Sequence, residues 1–426
     1  MKDNHTLRAA QLLSCGCESR LCHHRIAGGG AVAPLDGVEP DAIGRIADAR
    51  GTALPRSRRS VLGAALGAIG AGSLVPLAGC AGGPAAGAPM AGPREGRTHV
   101  LPSTKETVRV GAMDPAARPG VTVDSGDVVH YPDTWVNWAD EAKYGMAFDE
   151  REPIRKRYPA GPYSLVGPVE VRGAQPGDWI ECRMVRLRPI EWGWNSAPLG
   201  VGALPSEFRK PYLQYFRFDA ARTTAAFKEG VSYPLAPTQG VIATMPAGDK
   251  PVSGILSGPH GGNLVLRELT EGASIFLPVL RAGGMVWTGD SHAAQGDGVV
   301  NQTAIESAME DMRIQFILHK RSPLRTLLAE TPTQWISIGH GETLERALAA
   351  SLVNSMDWLS AASGLGRDDV YSLISVAGSV RITQYSHQTN TVYTNVPAKG
   401  VHTVIPKSIF TATKIDQIAK ATRTGA

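Results

Sequence analysis

Cysteine is scarce in this chain, with five in 426 residues: Cys15, Cys17, Cys22, Cys80 and Cys182. Beyond Cys80 only Cys182 remains, so no internal disulfide is available there and stability must come from core packing. Aromatic residues make up only 6%, and no basic patch interleaved with aromatics follows the first 60 residues, which argues against nucleic-acid binding. The net charge is a modest +4. The apolar run Val61–Ala78 is Ala/Gly-rich and as long as a signal-peptide core, too weakly hydrophobic for a permanent membrane span. A Gly-x-Ser-x-Gly elbow and a Gly-Gly-Ser-Ser segment are both missing, which removes two serine-nucleophile designs. Cys182 offers no substitute. It shares a strand face with Ile180 and Met184, where a cysteine behaves as a small hydrophobe.

What is abundant is glycine and proline, 48 and 30 residues, favouring short strands and many turns. At 426 residues, 43% apolar and 19% charged, the chain is globular and long enough for more than one domain. Residues 1–55 lack periodicity and read as a disordered leader or a start assigned too early; Cys15, Cys17, Cys22 and His23-His24 have no second half to complete a zinc finger. Residues 56–80 hold Arg58-Arg59, the apolar run and Leu77-Ala78-Gly79-Cys80, the order of a twin-arginine lipoprotein signal with Cys80 as the lipidated residue. The expected location is therefore the cell envelope, on the far side of an export step, with membrane contact only through that anchor. Residues 81–100 read as a flexible linker, 101–415 as the folded domain and 416–426 as a tail.

From Thr107 to Leu318 alternation predicts mostly strands, with a bulge where it slips between Met184 and Val185. Asp178 is expected to cap the turn before its strand. Trp135, Trp138, Trp192 and Trp194 read as core or rim packing. Leu344, Leu348, Leu352, Met356 and Leu359 recur at helical spacing over Thr343–Ala362, with Gly364 placed to end the helix. A shorter helix is expected over Arg367–Val376, a strand over Val380–Tyr385, and a loop over Ser386–Gly400. The expected fold is β-rich α+β: a large mixed or antiparallel β core with a C-terminal helical segment.

The polar centre of the chain is Pro259–Glu306. Three glycine-punctuated clusters, His260-Gly-Gly-Asn263, Gly289-Asp-Ser-His292 and Gln295-Gly-Asp-Gly298, flank an uncharged run that Pro278 ends. An Asp-x-His pair on an extended segment puts a carboxylate and an imidazole on one face, a common start for a metal site; it also suits a polar turn.

The runs HGGN, GDSHAAQGDG and TAIE resemble the acetamidase/formamidase family. Gly167-Pro168-Val169 with Gly173-Ala174-x-Pro176-Gly177-Asp178 is similar to an early block of that family, and Met356-Asp357-Trp358 and Ile405-Pro406-Lys407 look familial too. The resemblance implies metal-assisted hydrolysis of small linear amides to ammonia and a carboxylate. On chemistry and spacing, Asp290 and His292 lead as ligands of the divalent metal, zinc first and calcium second, with His260 next. Asp297 or Glu306 would act as base or hold an imidazole, and Asn263 would donate to the oxyanion. The chain departs from the family pattern at Val265 and Val299, where acids are usual, and at Tyr163 in place of a histidine. Valine neither binds a cation nor moves a proton. A surface-anchored small-molecule binding protein on an amidase scaffold is thus the second reading. A homo-oligomer stands open.

Overall fold

The computed structural model describes residues 96–385, 393 and 395–424. The leader, the twin-arginine signal with Cys80, and the linker up to residue 95 lie outside the described residues, as does most of the Ser386–Gly400 loop.

Two large sheets carry the fold. One has nine strands, with Val128–Pro132, Met309–His319, Trp179–Pro189 and Ser274–Pro278 as successive neighbours, continuing to Gln334–Gly341 and Lys399–Pro406. The other has ten strands and includes Ser164–Val171, Thr238–Ala243, Gly261–Asn263 and Val286–Ala294. Pairing is mostly antiparallel, as the alternation predicts; Thr98–Val100 with Val128–Pro132, and Val121–Val123 with Ser164–Val171, are parallel.

Alternation decides what each face does. Ile180, Cys182 and Met184 turn to a core shared with Val166, Val169, Ile242 and Val286 of the second sheet. Trp179 and Phe276 turn the other way, onto a helical layer through Trp358, Leu359 and Ile418. Cys182 is a buried free thiol whose pKa is pushed up by burial, as expected of a small hydrophobe. Met184 pairs with Ile314 and Arg186 with Arg313, leaving Val185 as the extra residue of the anticipated bulge. The Asp178 carboxylate accepts the Gln175 N–H at 2.8 Å and caps its turn. Trp138, Trp192 and Trp194 form a separate cluster, and Trp135 packs on the main core.

Helix α1 spans Phe148–Arg157, α2 Leu344–Ser363, α3 Arg367–Ala377 and α4 Ala412–Thr424. The sequence anticipates α2 well: the Thr343 side chain accepts the Arg346 N–H, and Gly364 closes the helix at φ 78°. Helix α4 takes in most of the stretch read as a tail, because Ile418 and Ala421 are drawn into the helical layer. Helix α1 lies inside the stretch read as mostly strands. Its sequence FDEREPIRKR has no apolar stripe, and its buried face is Arg151, Ile154 and Arg155. Asp149 and Glu150 in its first turn and Arg155, Lys156 and Arg157 in its last complement the helix dipole. Among the described residues, no helix is long and apolar enough to cross a membrane.

Candidate active site

The strand Val286–Ala294 is buried over all but its last residue and carries Asp290 and His292. It pairs with Thr238–Ala243 on one side and with Ile305–Glu306 on the other, His292 facing Glu306 in register. Gly240 makes the space. A Cβ there would stand 2.3 Å from Asp290 Oδ2 and 2.8 Å from His292 Cε1, so only glycine fits beneath the pair. Asp290 itself has φ 56°, a left-handed residue within a strand, yet both side chains still converge.

The His292 Nε2 atom lies 3.3 Å from Asp290 Oδ2 and 3.4 Å from Glu306 Oε1. The other ring nitrogen settles the tautomer. Gln295 Nε2 donates to the Val265 carbonyl at 2.6 Å, which turns Gln295 Oε1 to His292 Nδ1 at 2.7 Å. An amide oxygen only accepts, so Nδ1 carries a proton and donates. Nε2 then faces two carboxylates, an arrangement that needs positive charge between them, either a proton on Nε2 or a metal ion. Glu306 Oε1 also accepts the Ala304 N–H at 3.1 Å, and Oε2 accepts Asn137 Nδ2 at 3.3 Å. Asp290 Oδ1 is buried and has no hydrogen-bond partner among the described residues.

Charge and burial divide these groups. Burial and the neighbouring Glu306 push the Asp290 carboxyl up, against the pull of His292. Burial would raise Glu306 as well, but His292 and the Ala304 N–H hold it below the usual range. Burial opposes a charged His292, and the two carboxylates overcome it and raise its basicity. The donor set fits a divalent cation: Asp290, His292 and Glu306 offer ligand atoms within 4.8 Å of one another, with a lone oxygen to spare.

A cavity of about 330 Å³ opens on these residues, and Tyr163, Val265, Val299 and Gln302 line it. The three departures from the family pattern therefore meet in one place. Val265 has φ 51° and Val299 φ 43°, strained values for β-branched residues. Asn263 lines the same cavity, but Nδ2 already donates to the Ile255 carbonyl at 3.2 Å and to the Tyr163 hydroxyl at 3.4 Å. Its unpartnered atom is the acceptor Oδ1, the opposite of an oxyanion donor. Tyr163, which sequence reasoning passed over except as a missing histidine, keeps its proton: burial first, then Asp290 and Glu306, raise its pKa.

His260 does not belong to this ligand group. It is buried, its Nε2 has no partner among the described residues, and burial lowers its pKa to about 4. Asp297 lies apart too. It accepts from Arg267 at 3.4 Å and belongs to a second cluster with Glu268 and His402, where Arg381 pairs with Glu268 at 2.8 Å.

A sequence profile described as the acetamidase/formamidase family matches residues 120–253 and 248–412. An acetamidase of Mycolicibacterium smegmatis is 24% identical over 199 residues, 33% of this chain and 49% of that protein. A formamidase of Methylophilus methylotrophus is 25% identical over 189 residues, 32% of this chain and 46% of that protein. The chain thus spans about half the length of the curated relatives it matches. The crystal structure of an acetamidase from Bacillus halodurans superposes with a TM-score of 0.65 at 26% identity, covering 73% of this chain and 98% of that one. On the profile, the aligned sequences and the shared fold, this chain belongs to the acetamidase/formamidase family.

Proposed function

We propose that the protein hydrolyses linear primary amides to a carboxylate and ammonia at the cavity of Asp290, His292 and Glu306. The observation that carries this reading is the convergence of those three donors, buried and facing one another, in a member of an amide-hydrolysing family. Asp290, His292 and Glu306 would hold a divalent cation, zinc first and calcium second. When bound, the cation supplies a water of lowered pKa and polarises the amide carbonyl. Gln295 fixes the tautomer that turns His292 Nε2 inward. Asn137 and the Ala304 N–H hold Glu306 in place.

Asp290 Oδ1, buried and unpaired, is the acceptor placed to take the proton of the attacking water. That proton then passes to the leaving nitrogen as the carbon–nitrogen bond breaks. The protonated Tyr163 hydroxyl, rather than Asn263, is the donor for the oxygen that gains charge at the carbonyl. The second reading, a binding protein on this scaffold, rests on Val265 and Val299, which bring two apolar groups where the family pattern has acids. We also propose that the chain is exported by the twin-arginine route and anchored through Cys80.

The test is ammonia release from formamide, acetamide and larger amides by the metal-loaded protein. Asp290→Ala and His292→Ala should each lose bound metal and turnover together, turnover by at least a hundredfold, because a lost ligand removes both. Metal retained without turnover on any amide would favour the binding reading. Turnover by protein that takes up no metal would sink the mechanism.

A further inference from the structure

Arg151 on α1 is 2% exposed, and none of its Nε, Nη1 and Nη2 atoms has a hydrogen-bond partner among the described residues. Arg155, one turn further on, is paired with Glu152 at 2.8 Å. Around Arg151 stand aromatic rings. Its Cζ lies 4.6 Å from the ring centre of Trp194, 5.1 Å from Trp138 and 5.8 Å from Tyr215. Ring faces attract a cation but give its N–H groups nothing to donate to in the plane of the fork. Burial lowers its pKa only to about 10, so the charge persists at neutral pH. Glu306 exerts a favourable field on it, but the Glu306 oxygens are engaged by Asn137, Ala304 and His292. Tyr393 lines the same cavity, and the sequence from 386 to 394 contains no Asp or Glu. A buried charge left this way is costly to the fold unless an anion arrives to meet it.

The cavity that Arg151 lines is open to solvent and, at about 710 Å³, roomier than the cavity of about 330 Å³ beside Asp290 and His292. It shares Tyr163, Gln302 and Glu306 with the cavity of Asp290 and His292. A longer substrate with its amide by Glu306 would extend along this wall, past Trp138 and Trp194, toward Arg151.

We propose that the preferred substrate is a primary amide bearing a carboxylate at its other end, a monoamide of a dicarboxylic acid, with that carboxylate on the Arg151 guanidinium. A planar fork of N–H donors matches a carboxylate in two parallel bonds, which no neutral amide can replace. The inference rests on amide hydrolysis at the adjoining site, and two measurements keep the two ideas apart.

The first compares kcat/KM of the metal-loaded protein on malonamate, succinamate and glutaramate with that on propionamide, butyramide and valeramide. At least one monoamide should exceed its neutral counterpart tenfold, and Arg151→Gln should lower that ratio at least tenfold, Arg151→Lys less. Neutral amides turned over as well as monoamides, or a ratio indifferent to Arg151, would overturn the proposal. The second needs no turnover: succinate or glutarate should raise the Tm of the wild-type protein and leave that of Arg151→Gln in place. Without ligand, Arg151→Gln should melt at or above the wild-type temperature, since it removes an unpaired buried charge. A fall of several degrees, or failure to fold, would make Arg151 a structural residue and end the argument. Amides all inert, with an Arg151-dependent Tm shift, would reject amide hydrolysis and keep the anion site.

Discussion

At the scale of single residues, His260 sets a test in acid. Burial holds its folded pKa near 4, whereas the unfolded side chain titrates near 6.5. The unfolded chain therefore binds the extra proton first. The stability that His260 contributes is complete above about pH 6.5 and is lost as pH falls toward 4, by at most ~3 kcal/mol at about 1.4 kcal/mol per unit. His340, also near 4, loses stability over the same window and in the same direction. Denaturant midpoints at pH 7 and pH 4.5 should fall less in His260→Gln than in the wild type. An equal fall in both would place the acid sensitivity elsewhere. The same residue shows how sequence reading of a site works and fails. Asp290, His292 and Glu306 were legible because short polar spacings in a glycine-rich stretch can be read without coordinates. His260 sits in the same stretch but is buried outside the ligand group, and sequence proximity cannot distinguish the two. Arg151 and Tyr163 lie well upstream of that stretch; Tyr163 shows only as a departure from the family pattern, and no local pattern marks Arg151.

At the scale of elements, the site depends on one bare position in a neighbouring strand. Gly240→Ala would set a methyl group 2.3 Å from Asp290 Oδ2, and the strand Thr238–Ala243 that carries it is buried throughout, so neither side can move away freely. Metal affinity should fall at least tenfold and turnover with it, while the far-ultraviolet circular dichroism stays that of the wild type. Unchanged metal binding would mean that the two strands part more easily than their packing implies. Helix α2 and the bulge at Val185 were readable because a stripe, two caps and a slip in alternation are local signals. Helix α1 was not. It buries Arg151 against indole rings in place of an apolar stripe, and hydrophobic periodicity carries no trace of that.

At the scale of the whole molecule, export and folding meet. Replacing Arg58-Arg59 with Lys-Lys should leave the protein inside the cell, as read by fractionation, and continued export would reject the twin-arginine route. The architecture bears on when a chain of this kind becomes competent. Gln384 donates to the Asn263 carbonyl across 121 residues, and Trp138 donates to the Tyr393 hydroxyl across 255. The walls of both cavities are therefore finished by residues made well after Asp290, His292 and Glu306. A nascent chain halted before residue 384 would own every one of Asp290, His292 and Glu306 and still have an open cavity. A metal taken up before those later residues arrive would be held by an unfinished vessel.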